Sequence, residues 1–183
     1  MKNLTTVTLM DAWFEISLRL SLATLAGVIL GANRWLHHKS AGVKTHALVS
    51  IGAAVAMLIV APVDLVSSDG STNYADASSR VLQGLITGIG FLGAGVIIHN
   101  ARGKRIQGLT TAASIWVTTL IGAAIGIGQL ALGMIAVVAT GLVLLSGNAI
   151  ERFVDKRFGN PVEVVEFIVS GILFVGVALS RDA

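Results

Sequence analysis

The chain has 183 residues, of which 54% are hydrophobic and only 13% charged, where a soluble domain carries about 25% charged residues. Its mean hydropathy is +0.82, its formal charge is +3, and it contains no cysteine, which excludes a disulfide framework, a thiol nucleophile and a thiolate metal site. The length allows one domain. The basic residues sit in short loops between apolar runs, so the positive charge reads as a membrane-topology signal, with no nucleic acid as partner.

The N-terminal residues make a poor signal peptide. Only Lys2 is basic before the first apolar run, and Asp11 and Glu15 precede it, so the N-terminus is expected to be retained. Five apolar runs follow, at about 16–32, 47–66, 81–98, 109–127 and 130–149. Each approaches the ~20 residues that cross about 30 Å of hydrocarbon. The fold class is therefore all-α: a polytopic transmembrane bundle of about five membrane helices with a short C-terminal tail. Residues 1–150 form the membrane domain and 151–183 a cytoplasmic or interfacial segment. A weaker sixth run, 167–179, is too short for a comfortable span and is left open between spanning, interfacial and extramembrane placements.

Lys and Arg alternate between loops. The first loop has Arg34, Lys39 and Lys44, the third has Arg102, Lys104 and Arg105, and Arg152, Lys156 and Arg157 follow the fifth run. The second has Asp64, Asp69 and Asp76 with Arg80 at its end. The positive-inside bias puts loops one and three in the cytoplasm, the N-terminus outside and the C-terminus inside.

The first loop enters the second run at His46, four residues before Ser50 and on the same helix face. An ionisable group at that depth should face the bundle interior. Thr111, Ser114 and Thr118 recur at helical spacing in the fourth run. By the loop-charge argument, these residues and Arg34 lie on one side of the membrane. Arg34, Lys44, Thr45, His46, Thr110, Thr111 and Ser114 are therefore the candidate binding cluster, with helix capping as the competing explanation. Asp76 and Arg80, at the start of the third run, form a possible i, i+4 pair at the outer boundary. Capping of the helix start by Ser78 or Ser79 is the plain alternative.

The third run, LQGLITGIGFLGAGVII, holds Gly84, Gly88, Gly90, Gly93 and Gly95. Gly88-Ile-Gly90-Phe-Leu-Gly93 matches G-x-G-x-x-G, but a dinucleotide site needs a preceding strand and an acidic residue about 20 positions on. No Asp or Glu lies between Asp76 and Glu151. The five glycines are read as helix-packing positions, as are Gly27-x-x-x-Gly31 and Gly122-x-x-x-Gly126.

Four segments together, AGVKTHALVS (41–50), SRV (79–81), GIGFLGAGVI (88–97) and GLTTAASIW (108–116), resemble the MgtC/SapB family in order and spacing, from about residue 20 to 147. The resemblance implies a bacterial inner-membrane protein tied to growth in low magnesium and, in pathogens, to survival inside host cells. Family members are usually described as regulators or accessory factors acting on membrane proteins rather than as magnesium pumps. Two departures stand out. Gly31-Ala-Asn33-Arg34 replaces the common Gly-x-Glu-Arg, so a carboxylate is missing. Only a short tail follows Asn148, where many members carry a soluble regulatory domain, so a minimal membrane core is expected.

The expected function is that of a non-enzymatic regulator in magnesium homeostasis and low-magnesium or stress adaptation. It would sit in the lipid bilayer, act on other membrane proteins and form a homo-oligomer. No cofactor, metal site or catalytic residue is expected. The alternative is a channel or transporter for a cation or small solute, against which the lack of carboxylates in runs three to five argues.

Overall fold

A computed structural model describes residues 2–60, 71–99 and 108–158. Five helices make up these residues: α1 (Lys2–Leu36), α2 (Val43–Val60), α3 (Ser71–His99), α4 (Leu109–Gly126) and α5 (Leu130–Phe158). All five contain a stretch long and apolar enough to cross a membrane, the five-helix transmembrane class expected from the runs. The chain divides into two compact units, 1–141 and 142–183, with the division inside α5. The first unit contains α1 to α4 and the start of α5. Asp64, Asp69, Arg102, Lys104, Arg105 and the weak run 167–179 lie outside the described residues.

Small residues build the first unit. A Cβ on Gly27 of α1 would lie 2.5 Å from the His46 carbonyl oxygen, and one on Gly31 would lie 2.6 Å from the Val43 Cα. On the other side of α2, a Cβ on Gly122 would strike the Ser50 carbonyl group, and one on Gly126 would lie 2.5 Å from the Ala54 oxygen. α1 and α4 thus each bring to α2 a G-x-x-x-G pair, whose bare backbone permits contact no side chain would allow. The order of these contacts makes α2 antiparallel to α1 and parallel to α4. The start of α5 turns back on α4, where Gly133 lies against Ile125.

Two of the turns have the same design. After α1, Lys39 N–H donates to the Arg34 carbonyl (3.1 Å) and His38 N–H to that of Trp35 (3.0 Å), with His38 in the left-handed region at φ 51°. After α4, Gln129 N–H donates to Ala124 (2.9 Å) and Gly128 N–H to Ile125 (3.0 Å), with Gly128 at φ 95°. Both are Schellman endings, which satisfy carbonyls that a helix C-terminus leaves orphaned.

Trp13 and Trp35 are exposed on α1, 69% and 66% respectively. Their 22-residue separation corresponds to about 33 Å of helix, close to the hydrocarbon thickness. Amphipathic rings at that spacing mark the two membrane boundaries. Arg34 and the start of α2 lie at the Trp35 boundary.

α3 begins at Ser71, well before Asp76, so Asp76 and Arg80 lie in the body of the helix rather than at its start. The Ser79 hydroxyl donates back to the Asp76 carbonyl (2.9 Å), an interior contact. This corrects the capping reading. It also removes the conflict of Arg80 with the helix dipole, which fades after the first turn. The pair itself is present at 3.8 Å, with both side chains about four-fifths exposed.

The glycines of α3 also behave differently from the packing expectation. Among the described residues, only Gly93 of the five meets a neighbour, with Ala112 Cβ 3.5 Å from its Cβ position. Gly84, Gly88, Gly90 and Gly95 have nothing within 4 Å. The tight contacts fall on α1 and α4 because those helices flank α2 directly. α3 instead rests on larger side chains, with Ile89 against Ala41 and Ile115, and Leu82 and Leu85 against Ala53, Met57 and Ala123. Gly84 and Gly88 line an apolar groove of about 460 Å³ between α2 and α3.

Candidate functional site

The close packing of α1, α2 and α4 leaves a polar interior near the Trp35 boundary. Arg34 reaches it from the last turn of α1 and is only 4% exposed. Its Nη2 donates to the Thr111 hydroxyl at 2.6 Å. His46, from the first turn of α2, is fully buried, and its Nε2 lies 3.2 Å from the Ser114 hydroxyl. The Ser114 hydroxyl is also 2.8 Å from the Thr111 carbonyl, so Arg34, Thr111, Ser114 and His46 form one continuous chain of polar contacts.

The proton assignments in this chain are constrained. His46 Nδ1 is 3.0 Å from the Gly42 carbonyl, which only accepts, so Nδ1 carries a proton and donates. In the neutral ring Nε2 is then an acceptor, and Ser114 must donate to it. The single Ser114 proton is therefore contested by His46 Nε2 and the Thr111 carbonyl. One of these two contacts goes unsatisfied unless another donor arrives.

Arg34 has a second deficit. Its Nε is buried without a hydrogen-bond partner, and no carboxylate among the described residues pairs with the guanidinium. Ser50, one turn further along α2, is fully buried and its hydroxyl is likewise unpartnered. Buried polar groups are nearly always paired, and each exception needs a reason. Asn33 stands beside Arg34 where a glutamate would supply a negative charge.

Lys44, Thr45 and Thr110 are exposed and make none of these contacts. The reason is helical geometry. Thr45 and Thr110 immediately precede His46 and Thr111, and adjacent residues point about 100° apart. Thr118 and Thr119 are buried but bond their own helix, donating to the Ser114 and Ile115 carbonyls at 2.7 and 2.9 Å. Among the described residues, no three His, Cys, Asp or Glu side chains come together as a metal site.

A second polar feature escaped the sequence reading. Arg19, inside the first apolar run, donates through Nη1 to the Gly126 carbonyl at 3.0 Å and through Nη2 to Glu15. It places a cation on the C-terminal carbonyls of α4, where the helix dipole favours one. The signal was available: an arginine within an apolar run, with a glutamate four residues before it.

The fold and the interior cluster define a polytopic membrane protein with a buried, cation-bearing hydrogen-bond network. The MgtC family model matches residues 20–153, which include every residue of the cluster, and the chain belongs to the MgtC family. It is 38% identical to protein SrpB of Synechococcus elongatus over 79% of this chain and 81% of that protein. It is 41% identical to YhiD of Escherichia coli K12, named a putative magnesium transporter, over 84% of this chain and 74% of YhiD. It is 35% identical to protein MgtC of Salmonella typhimurium over 79% of this chain, which spans 55% of that protein's length. No solved structure matches the chain significantly.

Proposed function

We propose that this protein is a non-enzymatic regulator in magnesium homeostasis and low-magnesium adaptation, acting on other membrane proteins from the bacterial inner membrane. The observation that carries the reading is the uncompensated charge and unpartnered donor of buried Arg34. Arg34 offers a positive charge and a free Nε–H, and no carboxylate among the described residues balances it. Such a site suits an acidic or carbonyl group of a partner, since it leaves donors and a charge unpaired until the partner arrives. A magnesium ion needs oxygen ligands, and a guanidinium beside it would repel it.

The loop charges support an orientation with the cluster on the cytoplasmic side, the N-terminus outside and the C-terminus inside. The absence of cysteine makes this easy to test. Cysteine at Lys39 is expected to be labelled only from the cytoplasm and cysteine at Arg80 only from outside. The reverse pattern would invert the topology.

The printed name of YhiD favours a second reading, in which the protein itself conducts magnesium. Purified protein in liposomes loaded with a magnesium-sensitive dye separates the two. The regulator reading expects influx no faster than in protein-free vesicles. Saturable influx that Arg34→Met or His46→Ala alters would replace it with the transporter reading.

A further inference from the structure

The unpartnered Nε of Arg34 belongs to a side chain that is 4% exposed, and its place on the guanidinium is informative. Nε and Nη2 share one edge of that planar group, and their N–H bonds leave it side by side. Nη2 has two protons and gives one to the Thr111 hydroxyl, which leaves a second for another acceptor. This edge is the fork that matches the two oxygens of a planar oxyanion.

The surrounding chain brings no such group. No Asp or Glu lies between Glu15 and Asp64, and among the described residues no carboxylate is in ion-pair contact with Arg34. The neighbours in the cluster, Thr111, Ser114 and His46, are buried and carry no negative charge. The character of the missing group follows from this. A neutral carbonyl would accept an N–H bond and leave the buried charge uncompensated. A dianion would replace one buried charge with another of opposite sign, at a similar desolvation cost. A monoanion with two coplanar oxygens cancels the charge and accepts from both N–H groups. Arg34 is two residues from the end of α1 and next to exposed Trp35, so an acid entering from the membrane boundary has a short path.

We propose that the Arg34 site binds a monoanionic carboxylate, the side chain of an Asp or Glu on a partner membrane protein, through paired N–H bonds from Nε and Nη2. The proposal rests on the regulator reading above and specifies the group that the partner brings. In the free protein the guanidinium donates to a neutral hydroxyl, at 2.6 Å. The carboxylate adds charge-assisted bonds, which are roughly twice as strong as neutral ones, and it supplies the acceptor that Nε lacks. An arginine is required at this position because a lysine ammonium has the charge without the paired edge.

The probe is acetate, the carboxylate of such a side chain without its protein. The full chain in detergent at neutral pH is titrated with sodium acetate, and with sodium chloride and sodium sulfate at matched ionic strength. Acetate is expected to raise the thermal midpoint saturably in the millimolar range, because one side chain carries only part of a partner's affinity, and the other two salts are not. In protein with isotope-labelled arginine, the Arg34 Nε–H resonance is expected to move downfield over the same range, a readout independent of stability. Arg34→Met should lose the response, and Arg34→Lys should bind acetate at least about tenfold more weakly. An Arg34 resonance indifferent to acetate at every concentration would overturn the proposal, as would chloride or sulfate acting as strongly. Saturation by micromolar acetate would overturn the assignment to a partner's side chain in favour of a free acid. Growth in low magnesium that requires Arg34 although acetate does not bind would leave the regulator reading standing, so the two failures are told apart.

Discussion

Arg34 is the residue on which the account turns, and its energetics differ from those of a structural arginine. A guanidinium at 4% exposure with one neutral hydroxyl bond and a free Nε has not recovered its hydration. Replacing a buried, uncompensated charge with an apolar residue of similar length is often neutral or stabilising. Arg34→Met is therefore expected to keep or raise the thermal midpoint in detergent while abolishing activity, a trade of stability for function. A large fall in midpoint would make Arg34 a structural tie instead. The same reasoning applies to Ser50, whose hydroxyl is buried without a partner. Ser50→Ala should be neutral or stabilising by up to about 1 kcal/mol in a denaturation titration, because it removes an unpaid desolvation. A clear loss of stability would mean that the hydroxyl has a partner, such as a bound water.

At the scale of elements, the glycines divide into two groups that sequence does not distinguish. Gly27, Gly31, Gly122 and Gly126 let α1 and α4 press their backbones onto α2, whereas Gly84 and Gly95 face open space. Gly27→Ala and Gly126→Ala should each cost about 1–3 kcal/mol through overpacking, and Gly84→Ala and Gly95→Ala should be tolerated by the monomer. Equal effects at all four sites, measured by thermal unfolding, would contradict the packing described. The turn after α1 gives a second test. His38 holds φ 51° in a Schellman ending, a conformation that glycine adopts without a Cβ penalty. His38→Gly should stabilise the protein by about 0.5–1 kcal/mol, and a loss of stability would show that the imidazole has a role of its own.

For the whole molecule, five membrane helices were legible because apolar runs of spanning length admit few other structures in a bilayer. Helix ends were less so. α2 starts at Val43 rather than near 47, and α3 at Ser71 rather than near 81, because helices continue beyond the hydrocarbon through residues that hydropathy does not register. The meeting of Arg34, His46, Thr111 and Ser114 could be anticipated from one shared membrane side and helical spacing. The exclusion of Thr45, Thr110 and Lys44 required the rotation of each helix about its axis, which depends on tertiary contacts. Helix partners were hidden for a related reason: a glycine on a packed face and one on an open face look alike in sequence. Arg19 shows the opposite case, a signal present in the chain whose target, the Gly126 carbonyl, lies 107 residues away.

The proposed role of the buried cluster is in activity rather than stability. It is tested most directly by growth in low magnesium of a strain lacking the protein and carrying Arg34→Met, His46→Ala or the unaltered chain at matched membrane levels. Both variants are expected to accumulate and assemble normally yet fail to restore growth, while Lys44→Ala and Thr45→Ala, on the exposed side of α2, restore it. Full restoration by Arg34→Met and His46→Ala would contradict the account.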